Sequence, residues 1–465
     1  MTPLPYPQFL ILILVRFVEP IGFTMVFPFI YFMVEDFGVA KDGSQVAFYA
    51  GLITAVFSIC EAISSIFWGM LSDKIGRKPV IMMGLLGTTI SLLTFGLSPN
   101  YYVAMFARGM SGALNGNVGV IKSIVAEMTD ESNRPEAFSY MGVMFGFGCI
   151  LGPLLGGYLS KPAERYPDIF GNIALLQKFP YFLPCAVSAL LCFCSLVFGS
   201  IYLEETLNSK KSTNVESNPL INQNLTVTQE AGGYGTIELE SSTKSNTPDS
   251  FLRQVKSIPK NTWILIIAQA MLHHFIVILD EGTIFWGAAP IKDGGLGFTP
   301  PDFAGFMASG GLSMFFIQFT IFSPLNRKFG ILRIYRKIHL FFALIAILTP
   351  FITSVAAVGS FEVKALVSLL YILRSMISMF AFGGSDVLLS NSNPLTSILG
   401  LINGLSIFFT CTSRAIAPTI AGWIFSWSLS NNLGFPFDIH FTFFVAAFFA
   451  LVNHIIAQFV KDGLN

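Results

Sequence analysis

The chain has 465 residues, of which 53% are hydrophobic and only 12% charged, with 48 phenylalanines and a mean hydropathy of +0.67. A soluble protein covers its surface with roughly 25% charged residues, so half that share implies a surface largely in contact with lipid. The 27 basic and 27 acidic residues cancel, which leaves no field to attract nucleic acid.

A helix needs about 20 apolar residues to cross the hydrocarbon layer. By that measure spans are expected near 8–33, 46–70, 79–97, 101–126, 137–160 and 180–202, then near 262–290, 302–324, 337–358, 363–390, 396–427 and 438–461. The first apolar run continues from Phe9 past Ile30 without a small-residue cleavage site, so it is expected to serve as its own membrane signal. The expected fold is all-α and integral to the membrane, with twelve transmembrane helices in two six-helix bundles. The expected organisation is an N-terminal bundle over 1–203, a flexible polar linker over 204–257, and a C-terminal bundle over 258–465. The linker is rich in Ser, Thr, Asn and Glu and poor in periodic apolar residues.

Lys74, Arg77 and Lys78 lie between spans two and three, and Arg327, Lys328, Arg333, Arg336 and Lys337 between spans eight and nine. The positive-inside rule makes that side cytoplasmic, and an even span count puts both termini and the linker there too.

Ionisable groups inside spans cost about 2.5–3.5 kcal/mol each on insertion scales, so the few present are functional suspects that need partners. Glu19 lies halfway along span one, followed by Pro20; it is expected either to couple protons or substrate or to form a structural ion pair. Glu61 is placed two turns before Gly69, at the cytoplasmic entrance, as an interfacial pair or a functional group. In span four, Arg108, Gly112, Asn115, Gly119 and Lys122 recur at spacings of four and three, which predicts one polar helical face. Arg108 is expected to pair with Glu19 or to act as a hydrogen-bond hub. Gly148, Gly152, Gly156 and Gly157 give span five a bare ridge suited to close helix approach. In span seven Gln269, His273 and Asp280 share a face, with His274 and Glu281 one step round, a set able to bind a cation or relay protons. Arg374 shares a face with Ser378 and Ser385 in span ten, where Asp386 is placed near the outer end. Arg414 in span eleven needs a carboxylate, with Asp386, Asp280 or Glu281 as candidates. The six cysteines lie in apolar segments without ligand spacing, so no metal or cofactor is expected.

The two sets of spans match each other. Glu19 stands nine residues before Pro28, and Glu281 nine before Pro290; "GMLSDKIG" aligns with "SPLNRKFG", Arg108 with Arg374, and "GPLLGG" with "APTIAG". Four matches in one order indicate duplication, and parallel repeats place a transporter's binding site between the halves near the midplane.

"GMLSDKIGRK", Gly69 to Lys78, resembles the loop signature of the major facilitator superfamily, and "GCILGPLLGG", with Gly152, Pro153 and both closing glycines, resembles the fifth-helix signature of its proton-coupled antiporters. "ARGMSGALNGN" is similar to the fourth-helix signature. With "RFVEPIGFTMVFP", the chain resembles fungal multidrug-resistance-type facilitators and plant zinc-induced facilitator-like carriers. The resemblance implies a link between Arg108 and proton transfer. It also implies a conformational gate at Gly69, Asp73, Gly76, Arg77 and Lys78, in which Asp73 and Arg77 latch onto a helix of the other half. The second half departs from the pattern, with Arg327 and Ile331 at the signature Asp and Arg positions.

The resulting expectation is a secondary active transporter, not an enzyme: a monomer in a vacuolar or plasma membrane that exchanges protons for a small organic solute or drug. A uniporter or symporter of the same fold, or a non-transporting membrane receptor or scaffold, are the alternatives.

Overall fold

The computed structural model describes residues 6–40, 43–115, 117–129, 134–206, 255–317, 320–321, 323–355, 360–392, 399–431 and 433–461. Among them every regular element is helical. Most of the expected linker therefore lies outside the described residues, as do the side chains of Asp73, Lys122 and Arg327.

The first half comprises α1 (Tyr6–Thr24), α2 (Ile30–Asp36), α3 (Val46–Ile75), α4 (Arg77–Gly96), α5 (Tyr101–Leu114), α6 (Asn117–Met128), α7 (Arg134–Leu159) and α8 (Phe182–Tyr202). The second comprises α9 (Lys260–Ala288), α10 (Pro300–Ile317), α11 (Ser323–Phe329), α12 (Ile331–Leu348), α13 (Ser360–Asn391), α14 (Leu399–Ser430) and α15 (Phe441–Gln458). Among the described residues eight stretches, carried by α1, α3, α4, α8, α9, α12, α13 and α15 with the turns that adjoin α3 and α12, are long and apolar enough to cross a membrane. The other expected spans are carried by α5 with α6, α7, α10 and α14. Short helical turns and loops make the connections, and a polar side chain supplies what an exposed helix start lacks: Asn100 accepts the N–H of Val103 at 3.1 Å to begin α5.

Three prolines interrupt the hydrogen-bond ladders of long helices: Pro20 in α1, Pro153 in α7 and Pro418 in α14. Proline has no N–H, so the carbonyls four residues earlier, on Arg16, Cys149 and Arg414, lose their helical donor. Two of those three residues are the arginines that reappear at the centre of the molecule. Span four departs from the expected continuous helix. It stops at Leu114 and restarts at Asn117, with Asn115 as the C-cap at φ −83°, ψ 57°, so the polar stripe from Arg108 to Lys122 is split between two helices.

The halves meet along α3 with α14 and α7 with α10. At the ends remote from the termini they touch backbone to backbone: a side chain at Gly51 would strike the Pro418 carbonyl, one at Gly422 the Ala47 carbonyl, and one at Gly157 the Pro300 carbonyl. Tyr31 lies against Phe285 and Phe32 against Phe303, with ring centroids 6.3 and 6.5 Å apart. This is a conformation closed on the side away from the termini. The rest of the glycine ridge serves the first half alone, with Gly148 against Pro20, Gly152 against Thr24 and Gly156 against the Met25 carbonyl.

Candidate functional site

Positions 16, 19 and 23 fall on one face of α1 by helical spacing. Arg16 Nη1 lies 2.5 Å from Glu19 Oε2, and its guanidinium sits 4.6 Å from the centre of the Phe145 ring on α7. Glu19 is thus neutralised within its own helix, one turn away, and the expected pairing with Arg108 is corrected. Arg108 is fully enclosed, with its guanidinium 4.6 Å from the Phe57 ring and 5.9 Å from the Phe95 ring, and its Nε has no hydrogen-bond partner. The local cause is Gly112: its missing side chain lets α5 rest on the Phe57 backbone, which swings the Phe57 ring beneath Arg108. A cation between aromatic faces gains about 0.5–2 kcal/mol from the ring quadrupoles.

Glu61 is the sixteenth of the thirty residues of α3, so it lies mid-span rather than at the entrance. Arg414 is the sixteenth of the thirty-two residues of α14. Their side chains meet across the two halves, Arg414 Nη2 to Glu61 Oε2 at 3.3 Å. Asn115 donates from Nδ2 to the other oxygen of Glu61 at 2.9 Å, which uses the break between α5 and α6 to reach the same carboxylate. Arg414 also lies 5.4 Å from the Phe23 ring. None of the three carboxylates expected for Arg414 is its partner.

Asp280 belongs instead to Arg374, at 2.9 Å from Nη2 to Oδ1, an ion pair whose angles fall short of a hydrogen bond. The Arg374 side chain is 8% exposed and also stacks 4.3 Å from the Tyr371 ring, whereas that of Asp280 is 42% accessible. The flanking residues Ile278, Leu279, Glu281, Gly282 and Thr283 are all buried. Asp280 is thus a partly accessible side chain deep in a long helix among buried neighbours, with its Oδ1 enclosed against Arg374. Glu281, 1% exposed, lies against Thr54 of α3, with Oε2 left without a hydrogen-bond partner. Among the described residues, four acids (Glu19, Glu61, Asp280, Glu281) and four bases (Arg16, Arg108, Arg374, Arg414) occupy the middle of the molecule.

The two histidines of α9 diverge. His273 Nδ1 is 2.8 Å from the Gln269 carbonyl and its ring meets Phe382 at 4.8 Å; His274 faces Phe449 at 4.9 Å and the Ser413 carbonyl. Gln269 donates to Asp386 at 2.8 Å and accepts from Ser406. Because Gln269 lies in the first third of α9, Asp386 sits toward the side that bears the termini, the reverse of its expected place; α13 runs back toward that side. Among the described residues no group of three or more His, Cys, Asp or Glu is arranged to hold a metal.

At the α3–α4 loop, Gly76 has φ +107°, a conformation that glycine alone adopts freely, and a side chain there would strike Glu205. Glu205 accepts the N–H groups of Arg77 and Lys78 at 2.8 and 3.1 Å, which places a carboxylate at the first turn of α4. Arg77 pairs with Glu127 at 3.0 Å and donates to Ser72 at 2.6 Å, while Thr206 donates to Glu127 at 2.6 Å. These contacts of Arg77 stay within the first half. Gly69 is exposed with open space around it.

Two helical bundles that meet along two helix pairs, close against each other at one end and join buried charges between them define a membrane carrier. Residues 12–404 match the model of the Major Facilitator Superfamily, and the chain belongs to that family. It is a multi-pass membrane transporter and not an enzyme. It is 32% identical to the "Major facilitator superfamily multidrug transporter mfsB" of Aspergillus fumigatus, over 92% of this chain and 80% of that protein. It is 30% identical to the protein "ZINC INDUCED FACILITATOR-LIKE 1" of Arabidopsis thaliana, over 87% of this chain and 81% of that protein. In fold it is similar to a D-xylose-proton symporter, with TM-score 0.70 at 12% identity over 100% of this chain and 99% of that one.

Sequence reasoning missed Arg16 and gave Glu61 no partner. The i, i+3 spacing of Arg16 and Glu19 was a usable signal for the first. The second spans 353 residues, which no local pattern reports.

Proposed function

We propose that this transporter is a proton-coupled antiporter that moves a small organic solute or drug across a vacuolar or plasma membrane, out of the cytoplasm. The chain acts as a monomer with both termini cytoplasmic. The observation that carries the reading is Asp280: a partly accessible carboxylate deep in a long helix, held by a buried Arg374, is a group that a proton and a cargo can occupy in turn. Glu19, Asn115, His273, Glu281 and Arg414 complete the polar wall, and Arg108 supplies a fixed positive charge nearby. Gly69, Asp73, Gly76, Arg77 and Lys78 form the gate on the cytoplasmic side, and the Gly148, Gly152, Pro153, Gly156 and Gly157 ridge lets α7 pivot against α1 and α10. The relative named as a multidrug transporter supports the class of cargo.

The test is reconstitution of the full chain in liposomes exposed to a cell extract, with solutes taken up identified by mass spectrometry with and without an imposed proton gradient. At least one solute should accumulate only with the gradient, and Asp280→Asn should abolish that accumulation. Equal uptake in both conditions would make the protein a uniporter.

A further inference from the structure

Among the described ion pairs, the central one alone joins the two halves. Arg16 and Glu19 share a helix, and Asp280 and Arg374 lie within the second half, but Glu61 and Arg414 sit on α3 and α14, the helices along which the halves meet. Both are at mid-helix, and Arg414 is placed where Pro418 leaves its carbonyl without a helical donor. Just beyond, Gly51 touches the Pro418 carbonyl, so the pair is seated beside the closed end.

We propose that Glu61 is the residue through which proton binding controls the relative position of the halves: as a carboxylate it clasps Arg414, and a proton taken up on its Oε2 removes the charge and frees Arg414. This rests on the antiport reading and names its coupling group.

The surroundings permit the exchange. The charged and titratable groups that act on Glu61 are Arg414 and Cys411 from α14, Glu19 from α1 and Arg108 from α5, with the neutral Asn115 amide on Oε1. His273 from α9 is within range of Arg414. Asn115 donates to Glu61 whether or not Oε2 is protonated, so the side chain stays in place while its bond to the other half is made or lost. Glu61 is 8% exposed and the Arg414 side chain 27%, so protons and water reach the pair from the arginine side. Two nearly equal states need only a modest differential interaction to exchange populations.

The experiment uses the full chain with spin labels at Met70→Cys on α3 and Ile407→Cys on α14, both exposed positions, and the exposed Cys194 replaced by Ser. Distance distributions are recorded in liposomes between about pH 5 and about pH 8. The unsubstituted clasp should show two distances whose ratio changes roughly tenfold over that range, and Glu61→Gln should give the low-pH distribution at every pH. Arg414→Gln, which leaves Glu61 without its partner, should also lose the pH response, and it carries the test should Glu61→Gln not fold. A wild-type pH response that survives in either variant, or no response in the protein with the clasp intact, would overturn the proposal. Proton-driven uptake is measured in parallel: its absence from wild type with the distance response intact removes the antiport reading and leaves the clasp.

Discussion

Arg108 and Arg374 occupy equivalent places in the two repeats yet meet opposite surroundings. Arg374 holds Asp280 at 2.9 Å and lies on Tyr371, whereas Arg108 is held between Phe57 and Phe95 and its Nε bonds to nothing. The cause lies one helix away. In the repeat alignment that sets Glu19 on Glu281, Asp280 falls on Val18 and Arg16 on Ile278. The first half therefore satisfies its acid inside α1, and the second half ties α9 to α13. Duplication supplied two arginines, and the positions of two other charges decided which became half of a pair.

The largest effect should come from that difference. Asp280→Ala leaves the buried Arg374 cation without its counter-ion, which should cost about 3 kcal/mol and show as a lowered midpoint of thermal unfolding in detergent. Arg374→Ala should cost less, because the partly accessible Asp280 can be solvated. Similar losses from both would mean that Asp280 is not solvated and the asymmetry between the two residues smaller than their exposures indicate.

The next effect separates closed and open ends rather than halves. Gly422→Ala puts a methyl group against the Ala47 backbone and Gly51→Ala one against that of Pro418, whereas Gly305→Ala meets nothing within 4 Å. Overpacking of about 1–3 kcal/mol in the first two should bias the carrier away from this closed state. Cysteine probes near Tyr31 should react faster in both variants and unchanged in Gly305→Ala. Equal rates in all three would show that the closed ends are not limited by these contacts.

Much of this architecture was legible in the chain, and the limits have physical reasons. Apolar length alone located the spans, because a membrane leaves few alternatives to long apolar helices. The repeat set Arg108 against Arg374. Helical spacing, by contrast, counted straight through the break at Asn115, since periodicity does not register one residue that leaves helical geometry. The Arg414 partner was sought among acids of the second half, yet the halves join through α3 and α14, and the nearest carboxylate lay in the first. Asp386 was misplaced because its depth depends on the direction in which span ten runs.

A third effect tests how Arg108 is stabilised without a carboxylate in direct contact. Phe57→Leu keeps an apolar side chain of similar size but removes the nearer of the two rings, and should cost about 0.5–2 kcal/mol. The same exchange at Tyr371 should cost less, since Arg374 retains Asp280. Unfolding midpoints of the two variants, compared directly, decide whether the first half depends on its aromatics as the second depends on its ion pair.

The smallest effect concerns the loop signature, which the halves do not share. In the first half Glu205 offers both carboxylate oxygens to the N–H groups that open α4, while the aligned loop of the second half begins α12 at Ile331 after Gly330 at φ 79°. Glu205→Gln keeps one oxygen acceptor and removes the charge that complements the helix dipole, so it should cost about 0.3–1 kcal/mol. Glu205→Ala loses the hydrogen bonds as well and should cost about twice as much. Amide exchange at Arg77 and Lys78 reports this locally: it should be modestly faster in Glu205→Gln, faster again in Glu205→Ala, and unchanged at Leu332 and Arg333 in both. Equal protection in all three proteins would mean that the α4 start is held by Gly76 and the Arg77 to Glu127 pair alone, and that the acidic residue after α8 is incidental to it.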